Sequence, residues 1–411
     1  MKRFIHNLFL GTNLISFFPI FFFASLMPEP LANQEVQGKI VARIPFKISN
    51  GLILLSVKIN NSKPLKMFLD TGMSAEIVVL FHKESLEELG VQNTQEVNLG
   101  GAGSSEYKKG FMAMGAKVVL SNLEMTNQTI IIMDDSRSNS EWQIDGIIGR
   151  TIFDIYITVM DYENSILTLY ENSNYEVNTS TVPIPLSFFS GIPIIDAKVN
   201  IEGEKEIPVK LVVDLGHRNA LYFHEDTQKR ILPPPKTINS IAGRGLQGVV
   251  KSKVGRIFEL KAGNNSFRNV PTSFIEAGTN LGLSKNIVDG NLGSLIHNRF
   301  TMILDYPNKQ MYLIPNKNYN KSFEFDMAGL VLEQNRDGSF YVQYVLENSP
   351  ASENDIRKSD KIIKINGKDI HEYDYNKVYE LLRQDSKEIS LTIERENRQL
   401  IEKILRLSRL I

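Results

Sequence analysis

Two aspartates in this chain sit in matching surroundings. Asp70 lies in PLKMFLDTGMSAEIVVLF, between an apolar run and a glycine, and Asp214 lies the same way in PVKLVVDLGHRNALYF. They are 214 − 70 = 144 residues apart. On its own either would read as the polar tip of a turn, because Asp-x-Gly is common there. As a pair they could do more. Two carboxyl groups held close together cannot both ionise cheaply, so they share one proton. The ionised partner then takes a proton from a water attacking a peptide carbonyl, while the protonated partner donates to the carbonyl oxygen.

For the two to meet, the segments around them must be equivalent parts of two similar units. The 144-residue offset recurs downstream, where IDGIIGRTIFDIYITVMDYENSILTLY pairs with VDGNLGSLIHNRFTMILDYPNKQMYLI, matching Asp145 with Asp289, Gly149 with Gly293 and Asp161 with Asp305. Tyr175 and Tyr319, each in an asparagine-rich linker, keep the same spacing. A repeat of this kind decides the fold before any local pattern does. Each copy is rich in short apolar, β-branched runs such as LILLSVKI, EIVVLF, ITVMDY and FTMILDY, separated by Gly, Asn and Asp, which predicts strands. Short helices are expected around Thr151 to Asp154 and Ser294 to Asn298. The expectation is a mainly β chain with one lobe over residues 34–176 and a second over 177–320, related by a pseudo-twofold axis. Such an axis brings Asp70 to Asp214 if both lie at the lobe interface. Asp145 and Asp289 are expected to cap the turn before each G-x-x-G, and Asp161 and Asp305 to sit in hairpin turns.

The paired motifs resemble the retropepsin-like aspartic peptidases, with two lobes in one chain as in the pepsin-like arrangement. The resemblance rests on FLDTG followed by a strand, then an apolar strand into DGIIGRTIF, and covers about residues 38 to 315. It implies two β-barrel lobes, an aspartic-type endopeptidase activity, and no metal or organic cofactor. It also implies Asp70 and Asp214 as the catalytic pair, supported by Thr71, Gly72, Leu215 and Gly216. NLGGAGSSEYKKG and SIAGRGLQG would be glycine-rich flaps, carrying Gly101, Gly103 and Tyr107 in the first and Gly243 and Gly245 in the second. Tyr107 would be a flap aromatic or a solvent-facing loop residue. The second motif departs from the family: Leu215 stands where a hydroxyl residue normally bonds the opposing backbone. Met73 likewise replaces a small hydroxyl residue, with Ser74 after it. His217 would either charge the site and depress a carboxylate pKa, or be a partly exposed turn histidine.

After the second linker the composition shifts toward Lys, Glu and Ile. SPA followed by SDKIIKINGKDI resembles a PDZ domain, with Ser359-Asp360 where the family usually has Gly-Asp, so residues 321–411 are expected to form an α+β PDZ module. The resemblance implies that Met327, Ala328, Gly329 and Leu330 form the loop that holds a ligand's terminal carboxylate, so that polypeptide substrates or protein C-termini are the partners. The closing segment RQLIEKILRLSRLI reads as a strand and a frayed tail.

Bulk properties narrow the classes further. Of 411 residues, 46 are Lys or Arg and 47 Asp or Glu, with no long run of one sign, so nothing favours nucleic acid as partner. There is no cysteine, which excludes thiol catalysis, thiolate metal sites and disulfides. Lys2 and Arg3 ahead of an apolar stretch from about Leu8 to Met27 read as an export signal or retained anchor over residues 1–33, with Ala32 a cleavage point made atypical by Pro30. The expected location is exported, periplasmic or cell-envelope or extracellular, with the membrane met only through that segment. Besides an endopeptidase, the chain is compatible with a non-catalytic peptide-binding protein using the same cleft and PDZ groove, or with a structural partner in an envelope complex.

Overall fold

A computed structural model of the chain describes residues 36–73, 78–81, 89–91, 94–103, 107–133, 144–173, 175–177, 180–203, 205–227, 229, 231–245, 248–279, 286–335 and 337–411. The export or anchor segment 1–33 lies outside the described residues. Among the described residues no helix is long and apolar enough to cross a membrane.

Period-two alternation builds the strands. LILLSVKI forms the strand Leu52–Ile59, in which Ile53, Leu55, Val57 and Ile59 are buried and the residues between them are more exposed. It belongs to an eight-stranded sheet that runs, in spatial order, Lys47–Ser49, Leu52–Ile59, Leu65–Leu69, Gly146–Ile148, Val78–Leu80, Leu123–Met133, Lys108–Leu120 and Gln95–Leu99. Residues 187–292 build a second eight-stranded sheet in the same order. Each sheet also curls onto itself, through Leu52–Ile59 with Lys108–Leu120 and through Ile192–Asn200 with Gly248–Ala262. These two curled sheets are the β lobes.

Between the lobes lies a six-stranded sheet. Ile40–Pro45, Ile157–Asp161 and Ile166–Tyr170 come from the first half, and Ile184–Pro185, Phe300–Asp305 and Gln310–Pro315 from the second. Its central pair, Ile157–Asp161 with Phe300–Asp305, is antiparallel and joins the halves. One apolar core runs through both lobes, from Ile44 and Leu69 in the first to Val213, Phe274 and Phe300 in the second. Asp161 and Asp305 do sit in hairpin turns, where Asp161 accepts from the Glu163 and Asn164 backbone and Asp305 from that of Asn308.

The third unit is a five-strand path with a short side strand, running Leu330–Gln334, Phe340–Val345, Lys361–Ile365, Glu388–Arg395 and Gln399–Arg406, with the helix Tyr375–Leu381 beside it. It has its own core, including Leu332, Phe340, Ile362, Val378 and Ile393. SPA opens the helix Pro350–Glu353, whose Ser349 and Ser352 form a reciprocal cap. Ser359 has φ 74°, which explains why glycine usually stands before this aspartate. The end of the chain is not frayed. Leu407 and Ile411 are buried, Ser408 N–H donates to Met327 O at 3.2 Å, and Arg256 Nε donates to Ile411 O at 3.3 Å. The apolar side chains in this segment are what hold it down.

Candidate active site

In each lobe an aspartate follows a buried strand, Asp70 after Leu65–Leu69 and Asp214 after Glu206–Val213. A second strand fixes it: Gly146–Ile148 runs parallel to the first aspartate strand and antiparallel to Val78–Leu80, and Gly290–Leu292 does the same with its counterparts. Asp70 N–H therefore donates to Ile148 O, and Asp214 N–H to Leu292 O, both at 3.0 Å. The crossing is so tight that a Cβ on Gly146 would lie 2.1 Å from Val79 O, and one on Gly290 1.8 Å from Tyr222 O. Asp145 and Asp289 do not cap the turn ahead of G-x-x-G. Their carboxylates accept the backbone N–H of Lys66 and Lys210 at 2.7 and 2.8 Å, clamping the aspartate strands from the side. The short helices appear as Thr151–Ile155 and Ser294–His297.

The structure brings Asp70 and Asp214 together, their carboxyl groups within hydrogen-bonding contact across the lobe junction. Gly72 N–H donates to Asp70 Oδ1 at 2.7 Å and Gly216 N–H to Asp214 Oδ1 at 2.8 Å. Each glycine also packs on the opposite aspartate. A Cβ on Gly216 would lie 2.5 Å from Asp70 Cγ, and one on Gly72 2.9 Å from Asp214 Oδ1. Thr71 works across the junction rather than within its own loop: its hydroxyl donates to Val213 O at 2.6 Å and accepts from Leu215 N–H at 3.0 Å. Leu215 has no hydroxyl to return these bonds, and its side chain joins the apolar core.

Both carboxyl groups hold protons more tightly than an exposed aspartate. Burial is the main cause for each; the charge of Asp70 adds to it at Asp214, whereas hydrogen bonds from Gly72 and Asp214 pull Asp70 back. The two therefore share one proton, whose loss belongs to the pair rather than to either residue. His217 does not add a positive charge. Burial, with Arg218 and His297 nearby, pushes its pKa down to about 3, so the ring is neutral, packed edge-on against Tyr222 with centroids 4.9 Å apart.

Two site residues lay beyond the motif reading. Asn291 Nδ2 donates to Asp214 Oδ2 at 2.5 Å, and Tyr222, buried, neighbours both aspartates. Asn291 was visible as the polar residue in DGNLG where the first copy has Ile147 in DGIIG. No pattern marked Tyr222.

The flap segments lie on the hairpins Gln95–Leu99 with Lys108–Leu120 and Thr237–Gly245 with Gly248–Ala262. Gly101 and Gly103 belong to the first, with Gly103 at φ 130°, and Gly243 and Gly245 to the second. Between the two glycines of the first flap, Ala102 packs against the apolar cluster formed by Tyr222, Ala242, Val250 and Ile275, so this flap reaches onto the second lobe. Tyr107 is the solvent-facing alternative, 69% exposed. Ser74, Ser104 and Leu246 lie outside the described residues. Among the described residues no cluster of three or more His, Asp or Glu is placed to hold a metal ion.

Comparison with known proteins decides the architecture. An aspartyl protease family model matches residues 55–152, and a PDZ domain model matches residues 324–394. The chain joins an aspartyl protease domain to a PDZ domain. The aspartyl protease match falls in the Asp70 lobe, and the second lobe has the same strand order around Asp214. Among solved structures, the aspartic proteinase from Irpex lacteus is similar, with 13% identity and a TM-score of 0.46 over 68% of this chain and 98% of that one. A search of curated proteins finds no match.

The PDZ loop does not stand open. Asp326 Oδ1 accepts Gly329 N–H at 2.5 Å and Leu330 N–H at 2.9 Å, and Ala328 N–H adds to them. Met327 N–H donates instead to Leu382 O at 2.9 Å. The donors expected to meet a ligand's carboxylate meet this chain's own.

Proposed function

We propose that this chain is an aspartic endopeptidase acting on polypeptides with Asp70 and Asp214 as its catalytic pair. The observation that carries the reading is the contact between the two carboxyl groups at the lobe junction, each loop held by its own glycine N–H. With Asp70 ionised and Asp214 protonated, a water between them loses a proton to Asp70 as its oxygen bonds to the peptide carbonyl carbon. Asp214 gives its proton to the carbonyl oxygen, producing a neutral tetrahedral diol. Asp70 then passes its proton to the amide nitrogen while Asp214 takes one hydroxyl proton from the diol, so that the C–N bond breaks into a carboxylic acid and an amine and the pair returns to its starting state. Flap contact such as Ala102 against the second lobe must open to admit substrate and close to exclude solvent. The PDZ domain supports the same substrate class, because such modules take extended polypeptide. The basic-then-apolar segment at residues 2–27 supports an exported enzyme.

The test is cleavage of an unfolded protein between about pH 4 and 9 by wild type, Asp70→Asn and Asp214→Asn, a range set by where buried carboxyls titrate. Wild type should cleave, and each variant should lose at least about a thousandfold, as loss of an acid–base partner does. Cleavage surviving in both variants rejects the mechanism. A wild type that binds the unfolded chain yet leaves it intact throughout would favour peptide binding without catalysis.

A further inference from the structure

The PDZ groove lies between the strand Leu330–Gln334 and the helix Tyr375–Leu381. That strand is at the edge of its sheet, so one row of its backbone N–H and C=O groups has no strand partner. Such an edge is where a PDZ ligand would add as a further strand. Here its middle, at Leu332, is already satisfied from within. Leu332 N–H donates to Tyr379 Oη at 3.2 Å, and Tyr375 Oη donates to Leu332 O at 3.1 Å. The two tyrosines stack with centroids 4.8 Å apart, and Tyr375 packs on Phe340 at 5.7 Å. At the end of the groove, Asp326 holds the loop N–H groups of Gly329 and Leu330. Leu332 on the edge and Gly329 and Leu330 at the loop are thus held by the domain's own side chains.

We propose that this groove is a strand-binding site shut by Asp326, Tyr375 and Tyr379, and that its ligand is an extended polypeptide ending in a free carboxylate. Asp326 itself argues for that ligand. A carboxylate oxygen already accepts the loop N–H groups, so a chain terminus replaces it like for like, while its backbone takes the two bonds that the tyrosines now make at Leu332. Side-chain rotation, not helix displacement, opens the site. Asn376, between the two tyrosines, anchors the helix to the first lobe by donating from Nδ2 to Ile48 O at 2.9 Å. Leucine or valine at these helix positions would leave the strand edge bare; the hydroxyls make closure specific.

The experiment measures binding of a fluorescein-labelled decapeptide ending in Val-Ile with a free carboxylate, alongside the same peptide amidated. The full chain carries Asp70→Asn, so the peptide is not consumed and the result stands apart from the peptidase reading. Tyr375→Phe with Tyr379→Phe keeps the rings and removes the bonds to Leu332, and should tighten binding about tenfold or more, the equivalent of two ordinary hydrogen bonds. Asp326→Ala should tighten binding of the free acid and leave the amide unchanged. A parent that binds the free acid as tightly as folded variants overturns the proposal. Should the variants misfold, amide exchange in the parent decides: slow exchange at Gly329, Leu330 and Leu332 supports closure, and fast exchange there overturns it.

Discussion

Thr71 and Leu215 occupy the same position in the two lobes, and only Thr71 grips its counterpart, holding Leu215 N–H at 3.0 Å and Val213 O at 2.6 Å. A reciprocal pair of threonines would tie the aspartate loops twice. Here one hydroxyl ties them from one side, and the other side contributes a leucine to the core. The second aspartate loop is therefore positioned chiefly by its neighbour.

Thr71→Val isolates that grip. The substitution keeps the shape and leaves Leu215 N–H and Val213 C=O buried without their partner, at a cost of about 2–5 kcal/mol. The urea midpoint should fall and cleavage should fall with it. Leu215→Thr is different, because two new hydrogen bonds offset the lost apolar burial to within about 1 kcal/mol. A gain in cleavage without a change in midpoint would show that the second loop works below its potential.

The glycines rank in a definite order. A Cβ at Gly216 meets Asp70 Cγ at 2.5 Å, whereas one at Gly72 meets Asp214 Oδ1 at 2.9 Å. Gly216→Ala should displace the ionised carboxylate and reduce cleavage by about a hundredfold or more, since an error of about 1 Å in a catalytic group has that effect. Gly72→Ala should do less. Equal losses, measured as kcat/KM on one peptide, would contradict the packing.

Acid and alkaline limbs follow from the buried pair. Asp70 is pushed up to about 6 and must be ionised, while Asp214 is pushed up to about 8 and must be protonated. Cleavage should peak between these limits, in a bell whose limbs belong to the pair jointly. Stability has its own sign. The folded chain keeps protons that the unfolded chain has lost above about pH 4, so this pair's contribution is full in acid and drains away as pH rises through about 6 and then about 8. Asp214→Asn, though inactive, should unfold at a higher temperature than wild type at pH 9.

Ser359 gives a prediction in the PDZ domain. Its φ of 74° lies in the left-handed region, where a side chain costs about 1 kcal/mol. Ser359→Gly relieves that strain and loosens the unfolded chain, so the net gain is about 0.5 kcal/mol. It should appear as a small rise in the unfolding midpoint of that domain; a fall would mean that the serine is held by something its backbone does not reveal.

The sequence made the framework legible because the chain carries it twice. Strand LILLSVKI ends where its alternation ends, and the helices follow each G-x-x-G, since local pattern and tertiary contact agree there. What it hid were contacts between distant segments. Asp145 reads as a turn cap but serves the Lys66 backbone 79 residues away, and His217 reads as ionisable until burial beside Tyr222 makes it neutral. The PDZ loop reads as open because the motif cannot say where Asp326 points. Burial and aim are properties of the assembled fold.

Asn291 is where the two copies part most usefully. Ile147 in the first lobe offers Asp70 nothing, whereas Asn291 Nδ2 donates to Asp214 Oδ2 and favours its ionised form. Asn291→Leu restores the apolar residue type of the first lobe and removes that donor. Asp214 should then hold its proton to higher pH, so the alkaline limb of kcat/KM shifts upward, and by more than the acid limb, because the amide touches Asp214 and not Asp70. The cost is orientation: without the amide, Asp214 Oδ2 is free to turn from the water, and the rate at the optimum should drop by about tenfold, near one ordinary hydrogen bond's worth. A residue that merely filled space would lower the whole profile without moving either limb.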